Sequence, residues 1–375
     1  MISIFICAYL LAIPGQAIKA DSTIAESWNQ MFLTKSGWIG GDAVYSVPVW
    51  NQKILWLFGD SIYGKVVDSQ RKDSVMIRNA VAVSSQNPAF GDAVFPERMK
   101  EGKITGFFQS SGDGSYLWPL GCWTEQGNTH IFFAKMMDTK GGGVFGFEQK
   151  ELLLATIQDN SSNPLDWKIL YDKVPFFQRN QNGEMNFGSS VLVEGEWIYV
   201  YGYRDLAKPT FGSRSMVLAR VPRHSFGDYS KWEFHGLDGW KNKTSDLKEQ
   251  FRGIATEYSV IHLKNRKSYL ATYTENGLGE KILGRIAKSP AGPWSEPFVI
   301  YRCPESSKDK KLFTYSSKAH GWYGDGKQVL VSYCVNSWDF GRLFQDQAVY
   351  RPMFILANIP ENIPGFSDIH AHPDG

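Results

Sequence analysis

The stretch GGDAVYSVPVWNQKILWLFGDS, residues 40–61, decides how this chain is read. Two runs of β-branched and aromatic residues flank a polar turn, the pattern of a β-hairpin. Folded about Asn51, the hairpin puts Asp42 nine residues before the turn and Asp60 nine after it. With an odd-length loop the two aspartates face each other at the mouth, Cβ atoms about 5 Å apart. Like charges opposed in this way destabilise a sheet. Each also follows a glycine, Gly41 or Gly59, which lets a ligand or a second chain approach the backbone. A turn cap, or a carboxylate bound to a backbone N–H, would account for either aspartate alone. The pair, with Tyr45, Trp56, Phe58 and Tyr63 nearby, points to a site.

The same unit returns four times. LGCWTE and THIFFAKM flank QGN near Gly127, and SSVLVE and WIYVYGYR flank Gly195. YSVIHL and SYLATYTE flank KNRK near Arg266, and SSKAHGWY and QVLVSYCV flank GDGK near Gly326. The interval is about 60–75 residues, a long-period self-similarity that marks a propeller or array. Each hairpin is followed by a further β-rich run, at 74–85, 151–158, 213–222, 280–290 and 348–360. No long stretch sustains helical periodicity. Five units of about four strands predict an all-β fold, a five-bladed β-propeller, as a single domain over residues 21–360. A β-sandwich or two β domains is the alternative.

Composition narrows the function classes. The 375 residues are 43% hydrophobic and 14% aromatic, ample for a large core, and the net charge is +2. With no long Lys/Arg run, neither nucleic acid nor an anionic membrane has electrostatic support as a partner. The N-terminal MISIFICAYLLAIPGQAIKADS carries an apolar run too short to span a bilayer. It reads as a signal peptide over residues 1–20, cleaved near Ala17 or Ala20, although no Lys or Arg precedes the run. A buried N-terminal segment is the alternative. Export would make the protein secreted or periplasmic, and it is expected to be a monomer. Residues 361–375 read as a tail. Cys122, Cys303 and Cys334 lack metal-ligand spacing and read as buried free thiols. Asn160 and Asn242 lie in glycosylation sequons.

Two close carboxylates titrate as a coupled pair, so one can hold a proton near neutral pH. Acid–base or nucleophilic work on a glycosidic bond requires this. No GxSxG, HExxH or Walker loop offers another chemistry. Glu257, in GIATEYSVIHL, precedes the fourth hairpin as Asp42 precedes the first, and is a third catalytic candidate. Trp118, Glu184, His320, Asn336 and Arg351 are candidates for binding the substrate. Asp42, Asp60 and Glu257 could offer oxygen ligands to a hard cation, yet no loop motif fixes them. No metal or cofactor is expected.

GGDAVYSVPV…ILWLFGDS resembles the opening of the five-bladed propeller proteins of the domain-of-unknown-function 4185/5005 type. WPLG, GSSVLVEGEWIYVYGYR, ARVPRHSFGDYSKWEFHGLDGW, SPAGPWSEP and YSSKAHGWYGDGKQVLVSYCVN are similar as well, from about Gly37 to Pro360. Some of that group are endo-D-arabinanases of glycoside hydrolase family 183. The resemblance implies an exported glycoside hydrolase acting on a poly- or oligosaccharide, with Asp42 and Asp60 as its catalytic pair. One departure stands out. Where the pattern reads Trp-Pro-x-Asp-Gly, this chain has Trp118-Pro119-Leu120-Gly121-Cys122, and an expected acid is missing. That leaves a lectin-like binding propeller without turnover as the alternative. A polysaccharide lyase and a structural surface protein complete the range.

Overall fold

The computed structural model describes residues 18–87, 92–140, 146–363 and 366. The fold is all-β, with two short α-helices, Glu26–Met31 and Glu305–Lys308, among the described residues. The opening hairpin forms in the expected register. Tyr45–Pro48 pairs with Lys53–Phe58, Tyr45 opposite Leu57 and Pro48 opposite Ile54, which centres the turn on Asn51. Asn51 and Gln52 take positive φ, 48° and 56°. Ala80–Ser85 adds a third strand.

The apolar run is explained by burial on both faces. Ile54, Leu55, Trp56, Leu57 and Phe58 are all fully buried. Alternate side chains enter different cores. Ile54, Trp56 and Phe58 join a cluster with Trp28, Phe32, Trp38 and Phe354, whereas Leu55 and Leu57 join one with Phe108, Ile131 and Phe133. The period of two along a strand sends neighbours to opposite faces, so a strand packed between two layers needs no polar side.

Four larger sheets, of four to six strands each, follow. The second holds Tyr116–Glu125, Asn128–Asp138, Phe147–Gln158 and Lys168–Val174. Its tight turn, Gln126-Gly127, has positive φ at both residues (49° and 78°), as a two-residue hairpin prefers. The third has six strands running from Gln178–Asn180 to Gly239–Lys241. The fourth holds Ser259–Leu263, Ser268–Thr274, Lys281–Ala287 and Phe298–Arg302. The fifth holds Leu312–Ala319, Gln328–Ser337 and Pro352–Asn358, completed by Asp21–Ile24 from the other end of the chain. The leading long strand of each sheet lies beside that of the next. Hydrogen bonds from Ser316 and Lys318 to the Ala43 carbonyl, and between Ser46 and His320, join the fifth sheet to the first.

Some expectations change. The arms of the first hairpin do not end at the aspartates. Ser36–Gly41 and Ser61–Val67 continue the pairing, with Gly41 opposite Ser61 and Gly40 opposite Ile62, and Gln70–Ile77 completes a separate sheet. The run 74–85, read as one element, breaks at Arg78-Asn79. Asn79 there bonds the backbone of Phe108 and Leu117. The fifth hairpin's first strand stops at Ala319, so His320 lies outside it.

Of the expected export segment 1–20, residues 1–17 lie outside the described residues. Lys19 forms a bridge with Val299, and the Ala20 N–H donates to the Val299 carbonyl at 2.9 Å. Packing continues beyond Pro360 to Ile363, which is buried. The rest of the expected tail, Phe366 apart, lies outside the described residues. Cys122, Cys303 and Cys334 are free, but only Cys303 and Cys334 are buried, and Cys122 is partly exposed. Asn160 is buried with its amide on Thr129 Oγ1, so that sequon presents no acceptor, whereas Asn242 is exposed. No helix among the described residues is long and apolar enough to cross a membrane.

Candidate active site

Asp42 and Asp60 stand where the first hairpin passes from one sheet into the next. The Asp42 N–H donates to the Asp60 carbonyl at 3.3 Å, and the Gly59 N–H to the Asp42 carbonyl at 3.0 Å. Between the two ladders Ala43 and Val44 take φ of 66° and 60°. For a β-branched residue such as Val44 this backbone is a true outlier, and strain of this kind gathers at functional sites. Gly59 is required for space, because a Cβ there would stand 2.5 Å from Asp42 Oδ1.

Both carboxylates face one cavity of about 1110 Å³. Glu257, Trp118, Glu184 and Asn336 line the same cavity. Six of the eight predicted residues therefore come together. Tyr315 and Tyr350 both donate to Asp42 Oδ2, at 2.7 and 3.0 Å, and Asn336 donates to the Tyr315 hydroxyl at 3.3 Å. Asp60 has different partners. Its Oδ1 accepts from the Trp118 indole at 2.8 Å and its Oδ2 from Arg78 at 3.3 Å. Arg78 also pairs with Asp138 at 3.0 Å and lies over the Tyr116 ring.

These surroundings separate the two acids. Burial, followed by the charges of Asp60 and Glu257, pushes Asp42 up from 3.8 to about 8, against the pull of its two tyrosine donors. Burial also raises Asp60, to about 6, where the Arg78 charge and the Trp118 donor hold it lower. Near neutral pH, Asp42 keeps its proton and Asp60 is the anion. Paired groups whose environments push their pKa values apart are the mark of an acid and a base.

Glu257 accepts from Lys318 and from Ser316 Oγ, both at 2.8 Å. Glu184 accepts from Arg179 and the Tyr203 hydroxyl. Among the described residues, no group of three or more His, Cys, Asp or Glu side chains converges as a metal site.

Two expected binding residues lie elsewhere. His320 is buried beside a second cavity, its ring nitrogens on Ser46 and Ser332 Oγ at 2.6 and 3.0 Å. Burial, with the Lys318 charge nearby, pushes it down to about 3, so it is a neutral structural histidine. The strand bulges between Tyr315 and Lys318, and the chain beyond the bulge serves the other cavity. Arg351 follows Tyr350, whose φ is 58°, and does not line the main cavity. It sits half-buried near Tyr333, Glu305 and Glu26.

The sequence reading missed Arg78, Tyr315 and Tyr350. Of these, only Arg78 had a local signal, as a charge inside an apolar strand run.

The absence of an acid at residue 121 has a structural cause. The strand bulges between Pro119 and Cys122. Leu120 faces the main cavity and Gly121 the second one. A Cβ on Gly121 would meet the Gly188 carbonyl at 2.8 Å and Ser190 backbone at 3.0 Å.

The family described as Domain of unknown function (DUF5005) matches residues 25–358. The chain belongs to the DUF5005 family. Among curated proteins it is similar to notoamide biosynthesis cluster protein J' of Aspergillus versicolor, 28% identical over 149 residues, 39% of this chain and 38% of that one. It is also similar to notoamide biosynthesis cluster protein J of Aspergillus sp. (strain MF297-2), 31% identical over 110 residues, 28% of each chain. The matches thus span well under half of those relatives. Among solved structures, this DUF5005 chain superposes on a proposed hydrolase from Bacteroides ovatus ATCC 8483 with a TM-score of 0.73, 16% identity and coverage of 92% and 93%. A levansucrase from B. megaterium gives 0.51 at 11% identity, covering 88% and 85%. Identities this low speak for a shared fold.

Proposed function

We propose that this DUF5005 protein is a five-bladed β-propeller glycoside hydrolase that cleaves a neutral poly- or oligosaccharide outside the cytoplasm. The observation that carries this reading is the pair of opposed carboxylates with unequal partners in one cavity. Asp42, protonated, gives its proton to the departing glycosidic oxygen. Asp60, anionic and steadied by Trp118 and Arg78, activates water or attacks the sugar carbon. Glu257 keeps a further negative charge near Asp42 and so helps it hold the proton.

The charge of the cavity supports a neutral substrate. Seven acidic side chains line it (Asp42, Asp60, Asp138, Glu148, Glu184, Asp205 and Glu257) against three arginines, Arg78, Arg179 and Arg214. Arg179 and Arg214 are engaged by Glu184 and Asp205. A uronic-acid polymer, which a lyase would need, meets net repulsion there. Phe147, Phe313 and Phe340 supply apolar faces suited to sugar C–H surfaces.

A binding protein without turnover is the second reading, favoured by Gly121, where no carboxylate fits. The test is a panel of neutral glycans (arabinan, xylan, levan) and uronate polymers, followed by calorimetry and reducing-end analysis. New reducing ends from a neutral glycan support hydrolysis. Binding without them supports the second reading, and ultraviolet-absorbing products would establish a lyase.

A further inference from the structure

Between the two cavities the chain builds a partition from its bulged strands. Lys318 stands in it, its side chain only 2% exposed. Its ammonium lies 2.6 Å from the Ala43 carbonyl, 2.8 Å from Glu257 Oε2, 3.0 Å from the Ser316 carbonyl and 2.6 Å from Ser316 Oγ. The Tyr45 ring closes one side, 4.3 Å away. Three N–H donors thus meet four oxygens, one from Ala43 ahead of the strand Tyr45–Pro48, one from Glu257 ahead of Ser259–Leu263, and two from Ser316 of the fifth sheet. Two of these oxygens belong to left-handed backbone. Ala43 has φ 66° with Val44 at 60° after it, and across the ammonium Ser316 has φ 59°.

A buried charge needs compensation, and one carboxylate with three dipoles supplies it. In return the ammonium constrains what it touches. The Ala43 carbonyl belongs to the residue after Asp42, so holding it holds the positive-φ turn from which Asp42 projects. We propose that Lys318 is a positioning residue: it holds the Ala43 carbonyl and Glu257 together and so fixes the strained turn that aims Asp42 into the cavity. The inference rests on the reading of Asp42 as the catalytic acid. A compact ammonium with three rotatable donors fits this cage, whereas a planar guanidinium does not.

The test uses Lys318→Met, Lys318→Ala and the double variant Lys318→Met/Glu257→Gln, which leaves no buried charge unpaired. On the neutral glycan that the wild type turns over, Lys318→Met lowers kcat by roughly 10²-fold, as for a 1 Å misplacement of a reacting group, with KM little changed. Propylammonium, admitted through the second cavity, restores part of the Lys318→Ala rate, and propanol does not. Wild-type kcat in Lys318→Met, or equal rescue by propanol, overturns the proposal. Should the wild type cleave nothing, the catalytic reading of Asp42 fails, and the crystal structure of the double variant decides the positioning claim. The same structure decides it if the single variants do not fold. Ala43 and Val44 leave positive φ if Lys318 holds the turn, and keep it if the proposal is wrong.

Discussion

Asp42→Asn should make the protein more stable, by an amount that grows with pH. The folded chain holds the Asp42 proton up to about pH 8, whereas the unfolded chain releases it near 3.8. Below 3.8 both states are protonated, and the carboxyl group and its amide replacement are nearly equivalent. Between 3.8 and 8 the unfolded state has lost the proton and the folded state has kept it. Wild-type stability therefore falls as pH rises through that window, and the loss levels off above it. The distance from 3.8 to about 8, at about 1.36 kcal/mol per pH unit, sets a ceiling near 6 kcal/mol. Relaxation and water entry around a buried carboxylate reduce this, and a gain of about 2–3 kcal/mol at pH 8 is expected. The amide oxygen can still accept from Tyr315 and Tyr350, so the variant loses little geometry. Urea unfolding of wild type and Asp42→Asn at pH 4, 5, 6, 7 and 8 measures the difference. A gain that is flat across this range, or that shrinks toward pH 8, would refute the buried, protonated Asp42. Asp60→Asn should show the same sign over a narrower window, from 3.8 to about 6.

Three further outcomes follow from the same geometry. Trp118→Phe removes the indole donor that holds Asp60 down, so the ascending acid limb of the rate profile should move up by about one pH unit, read from initial rates between pH 4 and 8. Gly59→Ala drives a methyl group into Asp42 Oδ1; activity should drop at least tenfold while the thermal midpoint changes little, measured on the same preparation. Gly121→Asp should give no gain in rate and should lose about 1–3 kcal/mol in denaturant unfolding, because its Cβ meets the Gly188 carbonyl at 2.8 Å.

The local parts of this fold were legible and the long-range parts were not. Register about Asn51 followed from turn position and strand period, and the opposition of Asp42 and Asp60 followed from register. The regular hairpins led to Glu257 and Glu184, each set near the start of its own hairpin, and both line the cavity with the binding candidates Trp118 and Asn336. Tyr315 and Tyr350 could not be foreseen, because they lie 273 and 308 residues from the Asp42 they serve. Bulges hide from periodicity as well. One extra residue between Tyr315 and Lys318 re-aims the strand, so His320 ends up beside the other cavity. The continuation of the first hairpin through Ser36–Gly41 and Ser61–Val67 was missed because glycines and a polar residue interrupt its apolar alternation.

On the proposed reading, opposed Asp42 and Asp60 cleave a neutral glycan. The most direct test of this incubates wild type, Asp42→Asn and Asp60→Asn with the neutral polysaccharide panel and counts new reducing ends. The wild type should release them, and each variant should lose roughly 10²–10⁴-fold, the share of general acid–base catalysis. Full activity in both variants, or tight binding by the wild type with no new reducing ends, would contradict it.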